Sequence, residues 1–204
     1  MAANAKFWDR LAKRYARSPV SNEAAYQTKL AKTQAYFTPD SRVLEFGCGT
    51  GSTAIVHAPL VGDYLATDIS SKMLEIARGK AEGIGNLRFV QGVLEDVSAP
   101  EGGFDVVLGM SILHLLEDKE AAIAKVFDLL KPGGVFVSST VCMERGGILK
   151  VILPIGRYFG FLPLVRFFAA GALEDSMKTA GFEIEHSWRP TPKSALFLVA
   201  RKPA

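Results

Sequence analysis

Glu45-Phe46-Gly47-Cys48-Gly49-Thr50-Gly51-Ser52 is the stretch that decides the fold. It grows out of Arg42-Val43-Leu44-Glu45-Phe46, a short apolar run of the kind that forms a parallel strand buried on both faces. Three alternating glycines break the run, and residues 51–58 suit a helix. Strand, glycine turn and helix in this order let a ligand approach the backbone closely. Glycine turns tightly, and the first N–H groups of a helix have no partner inside it. Such a loop taken alone is also a simple turn, and dinucleotide enzymes use one like it. Three acidic or small residues narrow the reading. Ser52 stands where the dinucleotide pattern requires a glycine. Glu45, two positions before the first glycine, suits a cationic amine and repels a pyrophosphate. Asp68 ends the next apolar run, Tyr64-Leu65-Ala66-Thr67, where a carboxylate can accept from both hydroxyls of a ribose. Together they predict a nucleoside ligand that carries an amine.

Outward from that stretch, strands and helices alternate. Residues 4–17 and 22–37 read as helices, separated by Ser18-Pro19 and closed by Thr38-Pro39. Strands are expected over 42–46, 64–68, 87–90, 104–108, 135–140, 182–188 and 195–200. Helices are expected over 51–58, 71–82 and 117–130, with a last one ending at Gly181. This order predicts an α/β, doubly wound, mostly parallel seven-stranded sheet. The last two strands follow each other closely and are expected to pair as an antiparallel hairpin at one edge. A single domain over 1–204 is expected, with a helical cap (1–38), a ligand-binding core (40–142), an inserted apolar segment (143–170) and a closing helix with edge strands (171–204).

Bulk composition excludes several classes. The net charge of +3, from 24 basic and 21 acidic residues, gives no support to a nucleic-acid partner. Cys48 and Cys142 make neither a disulfide framework nor a metal cluster, so no metal is expected and a reduced, cytoplasmic setting is the simplest. The stretch from Met1 to Arg17 is charged throughout and lacks the apolar core of a secretory signal. Its Phe7, Leu11 and Tyr15 recur at helical spacing.

Val43-Leu44-Glu45-Phe46-Gly47-Cys48-Gly49-Thr50-Gly51 resembles the first motif of class I S-adenosylmethionine-dependent methyltransferases. Thr67-Asp68-Ile69-Ser70 with Met73-Leu74 resembles the second. Phe104-Asp105-Val106-Val107 and Leu129-Leu130-Lys131-Pro132-Gly133-Gly134 are similar to the later ones. The likeness runs closely over about residues 40–142 and more loosely from Ala180 to Lys202, and it implies a Rossmann-like methyltransferase fold of the ubiquinone-type, small-molecule subgroup. By this resemblance Glu45 and the backbone of Gly47, Cys48, Gly49 and Gly51 would hold the methionine end of S-adenosylmethionine, and Asp68 its ribose. Ile69 and Met73 would sandwich the adenine, and the Met110 carbonyl would meet the amine. Tyr15 would close over the cofactor carboxylate or else serve only in packing. The family often has an aspartate where this chain has Val93. Leu94 would still offer its N–H to adenine, leaving Glu95, a water or a carbonyl to accept from the amino group.

The acceptor is expected to be a small molecule. His114, in Ser111-Ile112-Leu113-His114-Leu115, is the candidate catalytic base, with a structural role as the alternative; His57 and His186 read as structural. Residues 146–170 carry four phenylalanines and one tyrosine, with Lys150, Arg157, Arg166 and interior prolines and glycines that oppose a membrane span. Core packing, a lid over an apolar or lipid-like acceptor, and peripheral membrane contact are the three readings of that segment. A non-catalytic S-adenosylmethionine-binding module or partner subunit, and a nicotinamide-dependent Rossmann enzyme, remain as alternatives.

Overall fold

The computed structural model describes residues 2–143 and 162–204. Its elements are α1 (Ala2–Arg17), α2 (Glu23–Gln34), β1 (Arg42–Phe46), α3 (Ser52–His57), β2 (Asp63–Asp68), α4 (Ser71–Lys80), β3 (Leu87–Gln91), β4 (Phe104–Met110), α5 (Lys119–Leu129), β5 (Leu130–Thr140), α6 (Ala170–Thr179), β6 (Glu183–Trp188) and β7 (Leu196–Arg201). The strands form one seven-stranded sheet in the order β3-β2-β1-β4-β5-β7-β6. β1 to β5 run parallel, and β7 runs antiparallel to both of its neighbours. The expected hairpin is present, with β7 inside it and β6 at the edge.

Each face of the sheet has its own core. Leu44, Phe46, Val107, Phe136 and Leu198 pack with Ile123, Val126, Leu173 and Met177 of α5 and α6. Val43, Val106, Leu108, Val137 and Phe197 pack on the other face with Ala54 of α3 and Leu74 of α4. The alternation within β1 therefore sends Glu45 to the same face as Val43. Side-chain caps set the helix starts: Asn22 Oδ1 accepts from the Ala25 N–H at 2.9 Å, Ser70 Oγ from Met73 at 3.1 Å and Asp118 Oδ1 from Ala121 at 2.9 Å.

Two boundaries differ from expectation by three residues or more. α2 ends at Gln34 rather than at residue 37. β5 starts at Leu130, five residues early, so Lys131-Pro132-Gly133-Gly134 is an irregular strand entry rather than a separate turn. The C-terminal tail stabilises it. The Gly133 N–H donates to the Lys202 carbonyl at 3.0 Å, and Lys202 Nζ donates to the Phe127 carbonyl in the last turn of α5 at 2.7 Å and to the Leu130 carbonyl at the start of β5 at 2.8 Å. The inserted segment expected over 143–170 falls largely outside the described residues, as does most of the 146–170 stretch. Its described end, residues 162–169, has no regular secondary structure, and the Arg166 N–H donates to the His114 carbonyl at 2.7 Å. No helix among the described residues is long and apolar enough to cross a membrane.

Candidate cofactor site

Chain order runs from β1 outward through β2 to β3, then returns to β4 on the other side of β1. That reversal opens a crevice at the carboxyl ends of β1 and β4, where open α/β sheets bind ligands. The glycine loop lies there. Gly51 has φ +72°, and a Cβ on it would stand 2.9 Å from Ala77 Cβ and from the Phe89 ring. At Gly49, with φ +55°, a Cβ would meet only the Tyr15 ring, at 3.8 Å, among the described residues. The third glycine therefore serves packing, and the second leaves the loop open on its Tyr15 side. Gly51→Ala is expected to lower stability by about 2–4 kcal/mol, from left-handed backbone strain and an overpacked contact. Gly49→Ala carries only the strain, about 1–2 kcal/mol. Urea unfolding of the two variants compares them.

Asp68 ties this loop to β2. Its Oδ2 accepts from the Gly49 N–H at 2.8 Å and its Oδ1 from the Ser70 N–H at 2.8 Å. Burial pushes its pKa up, and those two N–H groups pull it partly back. The Cys48 N–H donates to the Thr67 carbonyl at 2.9 Å, a second tie to the same strand. Burial also raises the Cys48 thiol well above its ordinary range, so the residue contributes backbone rather than a nucleophile.

Glu45 is only 2% exposed. Its Oε2 accepts from the Tyr64 hydroxyl at 2.7 Å, and no cation faces it among the described residues. Burial raises its pKa to about 7, despite the opposing hydrogen bond from Tyr64 and with a further push from Asp68. A buried carboxylate without a counter-charge is costly unless a ligand supplies one. Glu45 and the open Gly49 backbone together fit an amino-acid head group with its cationic amine.

α1 lies over the loop because Asp9 fastens it. Asp9 Oδ1 accepts from the Ser70 hydroxyl at 2.6 Å and from the Lys72 N–H at 3.1 Å, at the start of α4. Farther along α1, the Tyr15 ring reaches Gly49 while 51% of the residue stays exposed. Partial burial, then the charges of Asp68 and Glu45, raise the Tyr15 pKa, so its phenol stays protonated as a donor.

On the β2–β3 side, Ile69 is half-buried and its carbonyl accepts from Gln91 Nε2 at 3.0 Å. Met73 is only 2% exposed, held under the start of α4. Val93 is half-buried and Leu94 points into the core, while Glu95 is exposed. It is Asp96 that folds back, its Oδ2 3.5 Å from the Val93 N–H and 3.6 Å from where a Cβ on Gly92 would lie. Asp96 is thus the carboxylate nearest the Gly92–Val93 turn, a residue the sequence reading passed over.

On the β4 side, Met110 is half-buried and ends the strand opposite Ser139 of β5. Ser111 follows in the left-handed region at φ +57°, and its N–H donates to the Ser139 carbonyl at 2.7 Å. Such a turn on a non-glycine residue is a strain that surrounding structure must hold. His114 sits in the one-turn helix Leu113–Leu115. Its Nδ1 is buried without a partner among the described residues, and burial lowers its pKa, leaving a neutral ring able to accept a proton. His57, read as structural, is fully buried on α3 against the Phe37 ring.

The structure therefore gathers Tyr15, Glu45, the three glycines, Asp68 and Met110 around the crevice, with Ile69, Met73 and residues 92–96 on its β2–β3 flank. Tyr64, Asp9 and Asp96 were not anticipated, nor were two residues of α2: Tyr26, whose phenol feels the Glu45 charge, and Lys29, whose Nζ donates to Ser139 Oγ of β5. Asp9 had one signal in the sequence, as the single acid in an otherwise basic helix.

Residues 43–134 match the methyltransferase domain family. An uncharacterized methyltransferase of Bacillus subtilis, YcgJ, is 33% identical over 100 residues, 48% of this chain and 40% of that protein. The ubiquinone/menaquinone biosynthesis C-methyltransferase UbiE of Vibrio campbellii is 35% identical over 102 residues, 47% of this chain and 39% of that protein. The matched region thus spans about two fifths of either relative's length. Among solved structures, the DhpI–SAH complex superposes with a TM-score of 0.76 at 21% identity, covering 99% of this chain and 96% of that one. The chain thus carries over residues 43–134 a stretch similar to a methyltransferase domain, and its seven-stranded sheet shares the fold of the DhpI–SAH complex.

Proposed function

We propose that the protein is an enzyme that binds S-adenosylmethionine in the β1–β4 crevice and transfers its methyl group to a small-molecule acceptor. The observation that carries this reading is Glu45, a buried carboxylate that faces no cation among the described residues and lies beside an open glycine backbone. Glu45 would take the cofactor amine, the Gly47–Gly51 backbone its methionine end, and Asp68 its ribose. Ile69 and Met73 would flank the adenine, with the Leu94 N–H and the Asp96 carboxylate as donor and acceptor for its ring edge. Tyr15 would donate to the cofactor carboxylate. When bound, S-adenosylmethionine supplies an activated methyl group on a sulfonium.

The protein's own share of the work is alignment of that methyl with an acceptor atom, which contributes up to about 7–11 kcal/mol to such reactions. His114, neutral and partnerless at Nδ1 among the described residues, would remove a proton from an acceptor that must lose one. The aromatic content of residues 146–170 favours an acceptor with an apolar body.

Calorimetric titration with S-adenosylhomocysteine, followed by release of that product across acceptors of graded hydrophobicity, tests the reading. Binding and turnover are expected. Binding without any turnover would favour a non-catalytic module. Binding of reduced nicotinamide dinucleotide in its place would favour the Rossmann alternative, which Glu45 opposes.

A further inference from the structure

Lys29 is the unexplained cation of the site. It projects from α2 toward the carboxyl end of β5, where its Nζ donates to Ser139 Oγ at 2.7 Å. Ser139 is 3% exposed, and Lys29 is itself half-buried. No carboxylate stands against Lys29 among the described residues, and burial alone depresses its pKa. A cation drawn out of water and held only by a neutral hydroxyl is costly, and buried charges are normally paired. Among the described residues, no anion supplies that partner.

The position of Lys29 indicates which molecule supplies it. Glu45 pairs in register with Leu108 of β4, and Leu108 with Val137 of β5, two residues before Ser139. With strands about 4.8 Å apart and a rise of about 3.3 Å per residue, Ser139 stands roughly 12 Å from Glu45. Neither the Glu45 nor the Lys29 charge perturbs the other, although Tyr26, one turn before Lys29 on α2, does feel Glu45. The amine and carboxylate of an amino-acid head lie within about 4 Å of each other, short of the roughly 12 Å that separates the two positions along the sheet. Met110, between β1 and β5 on the same sheet face, lies next to Ser139. The cofactor's amine at Glu45 therefore leaves Lys29 to the neighbouring ligand.

We propose that Lys29, steadied by Ser139, is the specificity-determining residue for the acceptor, and that the acceptor carries an anionic oxygen, a carboxylate or a phosphoryl group. This rests on the methyltransferase reading above and adds the acceptor's charge to it. Lys29 gives the anion a compact ammonium donor, Ser139 a neutral hydroxyl, and Met110 an apolar neighbour for the acceptor's body.

The test uses the full chain saturated with S-adenosylhomocysteine and three aromatic probes: benzoate, phenyl phosphate and uncharged benzamide. Calorimetry should show at least one anion binding tenfold or more tightly than benzamide. The stronger anion identifies the group. Lys29→Met should remove that preference while leaving the affinity for S-adenosylhomocysteine within threefold, and Lys29→Arg should keep most of it. Ser139→Ala, which retains the cation, gives a partial loss and serves if Lys29→Met does not fold. A second readout is independent of affinity. In protein with isotopically dimethylated lysines, the Lys29 resonance should titrate below that of an exposed lysine and move upward when the anion is added, which a lysine serving only to pin α2 would not do. Equal binding of anions and benzamide overturns the proposal, as does an unmoved Lys29 resonance. A tenfold loss of S-adenosylhomocysteine affinity in Lys29→Met also overturns it, because Lys29 would then hold the cofactor carboxylate. If the wild type binds no S-adenosylhomocysteine, it is the methyltransferase reading that fails, and the anion arms repeated on the free protein still decide the role of Lys29.

Discussion

Asp68→Ala is expected to weaken S-adenosylhomocysteine binding by about a hundredfold or more while the chain still folds. Two of the carboxylate's roughly four acceptor positions are taken by the Gly49 and Ser70 N–H groups, and the Ile69 N–H acts on it more weakly, which leaves capacity for the ribose hydroxyls. A hydrogen bond to a charged group contributes about 1.5–3 kcal/mol, and two of them correspond to roughly a hundredfold to ten-thousandfold in affinity. The variant also frees the glycine loop at Gly49, so the site must be ordered again on binding. Asp68→Asn separates these effects. Its amide oxygen can keep one backbone N–H, but its NH2 group faces the other donor. An intermediate loss of about tenfold to a hundredfold is therefore expected from the asparagine variant. Calorimetry on both variants, with circular dichroism to confirm folding, measures this. Affinity within threefold of wild type in Asp68→Ala would remove the ribose from Asp68 and reduce the residue to a loop fastener.

The parts of the molecule legible in the sequence are those whose chemistry is local. The Gly47–Gly51 loop, Glu45 and Asp68 sit at strand ends that short apolar runs and glycines mark by themselves, and the alternation of strands and helices is enough to predict the doubly wound sheet. Residues that act through long-range packing were not legible. Tyr64 is an ordinary strand tyrosine until β1 and β2 pair and its hydroxyl meets Glu45. Asp9 reaches Ser70 across 61 positions, and Lys29 reaches Ser139 across 110. No periodicity announces such pairs. The start of β5 was missed for a related reason. Pro132 and the two glycines after it are local stop signals, but the C-terminal tail supplies partners for that backbone and lets it join the strand. At residues 93–96 the sequence offered two adjacent acids, and only the one-turn helix over Leu94–Asp96 turns Asp96 back and Glu95 outward.

Glu45→Gln should move stability and binding in opposite directions. In the empty protein burial raises the Glu45 carboxyl from an ordinary value of 4.5 to about 7, Tyr64 opposing and Asp68 adding to the rise. The folded state therefore holds this proton more tightly than the unfolded chain. The stabilisation that proton gives is fully present below 4.5 and is lost as the pH rises through about 7. At 1.36 kcal/mol per pH unit, the loss amounts to roughly 3 kcal/mol above neutrality. Glutamine has no proton to lose, and its amide oxygen can still accept from Tyr64. Empty Glu45→Gln is thus expected to match wild type at acid pH and to exceed its stability by about 1–3 kcal/mol in mildly alkaline buffer. Binding runs the other way, because an ammonium pairs with the carboxylate and not with the acid. Wild-type affinity for S-adenosylhomocysteine should fall about tenfold per pH unit below about 7 and level off above it, with a proton released on binding near neutrality. In Glu45→Gln that dependence should vanish, and above neutrality the affinity should be lower by about 1.5–3 kcal/mol. Urea unfolding and calorimetry across the same pH series read both effects. A carboxylate that costs the empty protein stability and returns it only with a cationic ligand is held for that ligand. A wild-type affinity that stayed flat through neutrality would instead put the amine elsewhere, and would leave Glu45 as a buried hydrogen-bond partner of Tyr64 and nothing more.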